Sequence, residues 1–110
     1  MSFKPKRRSS VAKVIFINGP YAGKSVSLLP GKTITIGRDR AVELPLEDET
    51  LSRRHCSIEV QDNKYFITDH NSINGTFVNG TRLSGKSELL AFDRIFFGST
   101  EMEFREEGDG

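Results

Sequence analysis

Residue types suited to holding an anion are concentrated between Thr50 and Gly80, in TLSRRHCSIEVQDNKYFITDHNSINGTFVNG. Ser52-Arg53-Arg54-His55 makes one cluster and Ser72-Ile73-Asn74-Gly75-Thr76 a second, and Gly37-Arg38 stands upstream of both. A guanidinium fork can hold two oxygens of one anion, and hydrogen bonds to charged groups are stronger than neutral ones. A phosphorylated side chain carries about −1.5 to −2 charge and three acceptor oxygens. Arg38, Ser52 and Arg53 match such a group if the fold brings them together.

Other groups that could do chemistry have plainer readings. Ser52 and His55 are three residues apart and could touch as nucleophile and base. A working triad also needs an orienting acid and an oxyanion hole, and nothing marks either. The two His and the single Cys are scattered without metal-site spacing. Asp39, Glu43, Glu47, Asp48 and Glu49 lack calcium-loop spacing and read as a solvated loop. Gly19 to Ser25 (GPYAGKS) looks like a P-loop, but it has three residues between its first Gly and the Gly-Lys-Ser where the motif needs four. A strand rather than a helix follows, so no helix N-terminus faces a phosphate, and the segment reads as a turn.

The elements that must carry these loops read as strands. Apolar and β-branched runs or alternation mark residues 11–17, 24–29, 33–36, 56–60, 65–68, 77–78, 81–83, 88–90, 94–97 and 100–104. Residues 42–46 form a short extended piece whose Pro45 suits a sheet edge. Gln61-Asp62-Asn63-Lys64 and Asn79-Gly80 read as hairpin connections. No window shows helical periodicity, and turn signals recur every ~8–12 residues. The expected fold is all-β, a sandwich of two antiparallel twisted sheets with short loops. In such a sandwich the loops at one end meet in space, which is where an anion site would form.

Size and composition bound the reading. A chain of 110 residues is one domain, or one domain cut from a longer chain. Its 16 basic and 15 acidic residues show no basic excess, so no nucleic-acid partner is expected. One Cys allows no intrachain disulfide, Cys56 reads as a small buried hydrophobe, and a reducing, cytoplasmic setting is expected. No apolar run approaches the ~20 residues of a membrane span, and the basic start is not followed by a signal-peptide apolar region. Residues 1–10 are expected to be a basic flexible tail, 11–105 the domain, and 106–110 an acidic tail or linker start. Arg7-Arg8-Ser9-Ser10-Val11 resembles a site for basophilic kinases but reads as a solvated basic arm.

Taken as a set, these residues resemble the forkhead-associated (FHA) domain, a phosphothreonine-binding β-sandwich. Its pattern is Gly-Arg, then Ser-x-x-His, then Asn-Gly-Thr with a second Asn three further on. The chain has Gly37-Arg38, Ser52-Arg53-Arg54-His55, Asn74-Gly75-Thr76 and Asn79, with Asp69 ahead of the last block. The resemblance covers roughly residues 11–105. It implies that Arg38, Ser52 and Arg53 bind the phosphate and that Asn74 contacts the bound peptide's backbone. It implies that Gly37, His55, Gly75, Thr76 and Asn79 support the loops. Ile73 stands where the family often has Thr or Ser. The hydroxyl contact made there is missing unless Ser72 or a backbone N–H replaces it, so Ser72 and Ile73 count as additional candidate contacts. Phe92-Asp93 stands where the family has a Gly-Asp turn.

The expected partner is a threonine-phosphorylated protein or peptide, with no cofactor and no catalysis, in a domain of a kind commonly fused to further signalling domains. A phosphate-independent interaction domain on the same fold is the alternative, favoured by Ile73. A small hydrolase using Ser52 and His55 ranks below both.

Overall fold

A computed structural model describes residues 11–107 of the chain. The basic arm and its kinase-like site before Val11, and residues 108–110, lie outside the described residues. Eleven strands and no helix make up the described part: β1 (Val11–Phe16), β2 (Ser25–Leu28), β3 (Thr33–Gly37), β4 (Leu44–Pro45), β5 (Cys56–Gln61), β6 (Lys64–Asp69), β7 (Thr76–Val78), β8 (Thr81–Arg82), β9 (Lys86–Glu88), β10 (Arg94–Phe97) and β11 (Thr100–Glu107). One sheet has the order β2-β1-β11-β10-β7-β8 and the other β4-β3-β5-β6-β9. All pairings are antiparallel except β3 with β4. The chain is therefore the all-β sandwich that the alternation indicates.

Alternation builds the core. Ala12, Val14 and Phe16 of β1, Ile95 and Phe97 of β10, and Met102 and Phe104 of β11 face inward from one sheet. Ile36, Cys56, Ile58, Val60, Tyr65 and Ile67 meet them from the other. Buried apolar area is the main favourable term here, and cross-strand aromatic contacts such as Tyr65 against Phe104, 5.2 Å between centroids, add shape-specific packing. Cys56 is fully buried, and desolvation of its charged form pushes the thiol up to about 12, so it is a packing residue rather than a nucleophile at neutral pH.

Two hairpins use left-handed backbone at both turn positions: Asp62 and Asn63 (φ 54° and 62°), and Asn79 and Gly80 (φ 51° and 86°). Those dihedral signs suit two-residue turns whose twist matches that of the strands. The segment 19–24 is a hydrogen-bonded turn leading into β2, not a phosphate loop. Pro45 lies on the edge strand β4, where its missing N–H removes no ladder bond.

Most strand limits differ from the sequence reading by a residue or two, and two of the shifts have a clear cause. The strand expected at residues 88–90 lies at Lys86–Glu88, paired with β6. Leu89 buries its side chain in the core while its N–H still donates to the Tyr65 carbonyl at 2.7 Å, so the Leu pair marks the end of the strand rather than its body. β11 runs past Phe104 to Glu107 because β1 offers it a partner as far as Val11.

Candidate functional site

The loops β3–β4, β4–β5, β6–β7 and β10–β11 and the turn between β1 and β2 share one end of the sandwich. Gly37 ends β3 and sets the distance between the first two of these loops. A Cβ at position 37 would sit 2.0 Å from the Arg53 carbonyl oxygen and 2.7 Å from its carbon. Only hydrogen fits there, and the close approach allows the Arg38 N–H to donate to the Ser52 carbonyl and the Asp39 N–H to the Arg53 carbonyl, each at 3.1 Å. Arg38 and Ser52 are thereby neighbours across two strands' ends.

The side chains are then oriented one by one. The Arg38 Nε–H donates to the Leu51 carbonyl at 3.1 Å. Its terminal nitrogens make no hydrogen bond to other described residues, so four of its five donors remain available. The Ser52 hydroxyl oxygen accepts the Ile73 N–H at 3.1 Å. With that lone pair occupied, its own O–H is left to donate outward. The Asn74 Nδ2–H donates to the Thr50 carbonyl at 2.8 Å, which holds the amide plane and leaves Oδ1 as an exposed acceptor. Arg53 is exposed beside Ser52, and its side chain has no partner among the described residues.

His55 ties these loops together from beneath. It is fully buried, and its Nδ1 accepts the Ser52 N–H at 3.1 Å. The ring proton therefore sits on Nε2, which donates to the Gly75 carbonyl at 2.9 Å. Neither ring nitrogen meets the Ser52 hydroxyl, so the pair is not a nucleophile and its base. A second brace centres on Asp69. Its carboxylate accepts the Ser72 N–H (3.1 Å), the Ser72 O–H (2.5 Å) and the Thr76 O–H (2.7 Å). Partial burial works to raise its pKa, and the hydrogen bonds of Ser72 and Thr76 outweigh that, holding it below the ordinary value. The Ser72 oxygen also accepts the Gly75 N–H at 3.0 Å, so this hydroxyl is engaged inward.

Among the expected site residues, Gly37, Arg38, Ser52, Arg53, His55, Ser72, Ile73, Asn74, Gly75 and Thr76 thus cluster at one end. Asn79 does not join them. It lies at the opposite end, where its amide donates to Asp93 and accepts the Arg94 N–H, both at 2.9 Å. Ile73 is 83% exposed at the tip of the β6–β7 loop, and its N–H is already held by Ser52.

Of the acidic run, Glu43, Glu47 and Glu49 are exposed as a solvated loop would be, but Asp48 is built into the fold. Asp48 accepts from the Thr50 N–H (2.9 Å) and hydroxyl (2.5 Å), and from the Ser99 N–H (3.1 Å) and hydroxyl (2.9 Å). It therefore pins the β10–β11 turn to the loop that bears Ser52. Partial burial opposes ionisation, but the bonds from Thr50 and Ser99 together lower its pKa to about 2. Gly98 makes room for this contact: a Cβ there would meet the Thr50 hydroxyl at 2.6 Å and Asp48 at 2.7 Å. Glu43 accepts the Thr35 N–H at 2.8 Å, and Asp39 accepts the Ala41 N–H at 3.0 Å. The spacing Asp48-Glu49-Thr50 is the sequence signal for such a turn, because an Asp side chain readily accepts the backbone N–H two residues on.

Around the cluster, Arg38 lines a cavity of about 730 Å³ with Arg40, Tyr21 and residues 45–49. Asn74 and Thr50 border a more apolar groove of about 350 Å³ floored by Phe77, Phe96 and Phe97. Among the described residues no group of three or more His, Cys, Asp or Glu is placed to hold a metal ion. No helix among them is long and apolar enough to cross a membrane.

Loops bearing exposed donors, held by the buried His55 and the half-buried Asp69 on a sandwich of mostly antiparallel sheets, suit a binding module. Comparison with known proteins specifies which. The FHA domain model matches residues 34–98. The oxoglutarate dehydrogenase inhibitor of Corynebacterium diphtheriae is 38% identical over 89 residues, covering 80% of this chain. A structure solved for phosphothreonine-dependent FHA domain interactions superposes with a TM-score of 0.77 at 29% identity, covering 86% of this chain and 95% of that one. The chain belongs to the FHA domain family. It spans 60% of the length of the corynebacterial relative, and 20% of an FHA domain-containing protein of Arabidopsis thaliana that it matches with 32% identity.

Proposed function

We propose that this domain binds a threonine-phosphorylated segment of a partner protein and performs no catalysis. The carrying observation is the pairing of Arg38 with Ser52. The guanidinium is fixed through Nε to the Leu51 carbonyl, its remaining donors are exposed, and the adjacent Ser52 hydroxyl is freed to donate by the Ile73 N–H. In this reading Arg38 takes two phosphate oxygens, Ser52 a third donor position, and Arg53 adds a second positive charge at the rim. Asn74 Oδ1 accepts a backbone N–H of the peptide, which makes the site read an extended segment rather than a free phosphate. Such a role places the domain where protein kinases act, in the cytoplasm, and fits a module joined to further signalling domains in a longer chain.

A phosphothreonine peptide bound by the wild-type domain, with its unphosphorylated twin and the Arg38→Ala domain failing to bind, is the expected outcome. One observation supports a second reading, in which partners dock without phosphate. Ile73 offers no hydroxyl, and its N–H is engaged by Ser52. Capture of a partner that survives both phosphatase treatment and Arg38→Ala would establish that reading instead.

A further inference from the structure

On the other flank of the β6–β7 loop lies a cationic side chain that the phosphate site does not use. Arg82, on the edge strand β8, reaches back over Gly75. A Cβ on Gly75 would lie 2.7 Å from Arg82 Nε and 3.0 Å from Cζ, so the guanidinium packs directly on the backbone next to Asn74. Gly75 is needed there for this contact and also for its φ of +90°. Arg82 lines a cavity of about 540 Å³ together with Asn71, Ser72, Ser84, Gly85, Leu83 and Asp69.

The polar groups of this cavity differ in what they have left to offer. Asp69 is the one carboxylate in the wall, and its oxygens face Ser72 and Thr76. The Ser72 hydroxyl is engaged with Asp69 and the Gly75 N–H. Among the described residues Arg82 makes no ion pair, and neither the exposed Ser84 hydroxyl nor the Asn71 amide has a side-chain partner. What remains is a guanidinium, a hydroxyl and an amide at one opening, all able to donate.

We propose that Arg82, with Ser84 and Asn71, forms a second anion subsite that takes an acidic side chain, carboxylate or phosphate, of the same bound peptide. This rests on the phosphopeptide reading of the Arg38 site. The path from Ser52 through Ile73 and Gly75 to Arg82 spans at most ~15 Å, which an extended peptide covers in about four residues. The second anion therefore lies within about four residues of the phosphothreonine.

The test is a phosphothreonine-centred peptide library in which each flanking position out to four residues is fixed in turn as Asp, phosphoserine or Ala. It is titrated against the wild-type domain and against Arg82→Gln, with both proteins shown to be folded by circular dichroism. The wild type should prefer an acidic residue over Ala at one position by about three- to fivefold, as befits an exposed ion pair. That preference should shrink with added salt and vanish in Arg82→Gln, which should still reject unphosphorylated peptides. The stronger of the Asp and phosphoserine arms identifies the natural anion. An acidic preference absent from the wild type, or retained in Arg82→Gln, overturns the subsite while leaving the Arg38 reading intact. Failure of every phosphothreonine peptide to bind the wild type overturns both.

Discussion

Gly37→Ala should weaken the site without changing any side chain that contacts ligand. The φ of Gly37 is not in the left-handed region, so alanine meets no backbone penalty and the effect is steric. The new methyl would fall 2.0 Å from the Arg53 carbonyl oxygen and 3.1 Å from Arg54 Cα. Those atoms are backbone and cannot swing aside as a side-chain tip can. Ordinary contact begins at 3.4 Å, so the carbonyl must retreat by about 1.4 Å. A retreat of that size carries the Arg38–Ser52 and Asp39–Arg53 backbone bonds, both 3.1 Å, out of hydrogen-bonding range. Two lost bonds at about 1 kcal/mol each, with about 1–3 kcal/mol of overpacking strain, put the stability loss at about 3–5 kcal/mol. Ser52 moves away from Arg38, and the loss of one charge-assisted bond weakens phosphopeptide binding about tenfold or more. Urea unfolding followed by circular dichroism should show a lower midpoint at unchanged slope, and peptide titration should show the weaker affinity. A variant within about 0.5 kcal/mol of wild type that binds normally would refute the steric role assigned to Gly37.

Three further outcomes follow from other contacts. Ile73→Thr places a hydroxyl beside Ser52 without disturbing the backbone, and titration should show phosphopeptide affinity raised about three- to tenfold. Asp48 has its pKa lowered from 3.8 to about 2, so its stabilising contribution is present above pH ~4 and is lost as pH falls toward 2. Asp48→Asn should therefore be less stable than wild type at pH 7, and the gap, read from unfolding midpoints, should close on acidification through that window. Phe92 is 67% exposed and holds φ at 71°, a conformation costing non-glycine residues about 1–2 kcal/mol. Phe92→Gly should raise the unfolding free energy by a net ~0.5–1 kcal/mol once the extra freedom of glycine in the unfolded chain is counted.

That last residue shows how far the sequence could be read. Phe92-Asp93 was legible as a departure from the family's Gly-Asp turn, but not that the turn keeps left-handed backbone at position 92. Asp93 holds it there by accepting from Asn79 and Leu90, both at 2.9 Å. The sheets were legible because Ala12, Val14 and Phe16, or Ile95 and Phe97, alternate at the period of a strand. The Arg38, Ser52 and Asn74 cluster was legible because its residue types stand at loop positions and match a known pattern. Asp48 was not, since an acidic run reads as solvated until the fold brings Ser99 across to it. Nor was Arg82, whose contact with Gly75 depends on the β7–β8 hairpin folding back beside the β6–β7 loop.

Phosphate recognition in this site turns on Arg38. Calorimetric titration of one phosphothreonine peptide, selected on the wild-type domain, against wild type and Arg38→Ala tests it most directly. Measurable binding by the wild type, none by Arg38→Ala, and none of the unphosphorylated peptide by either is the predicted result. Equal binding of the peptide with and without its phosphate, or full binding by Arg38→Ala, would contradict it.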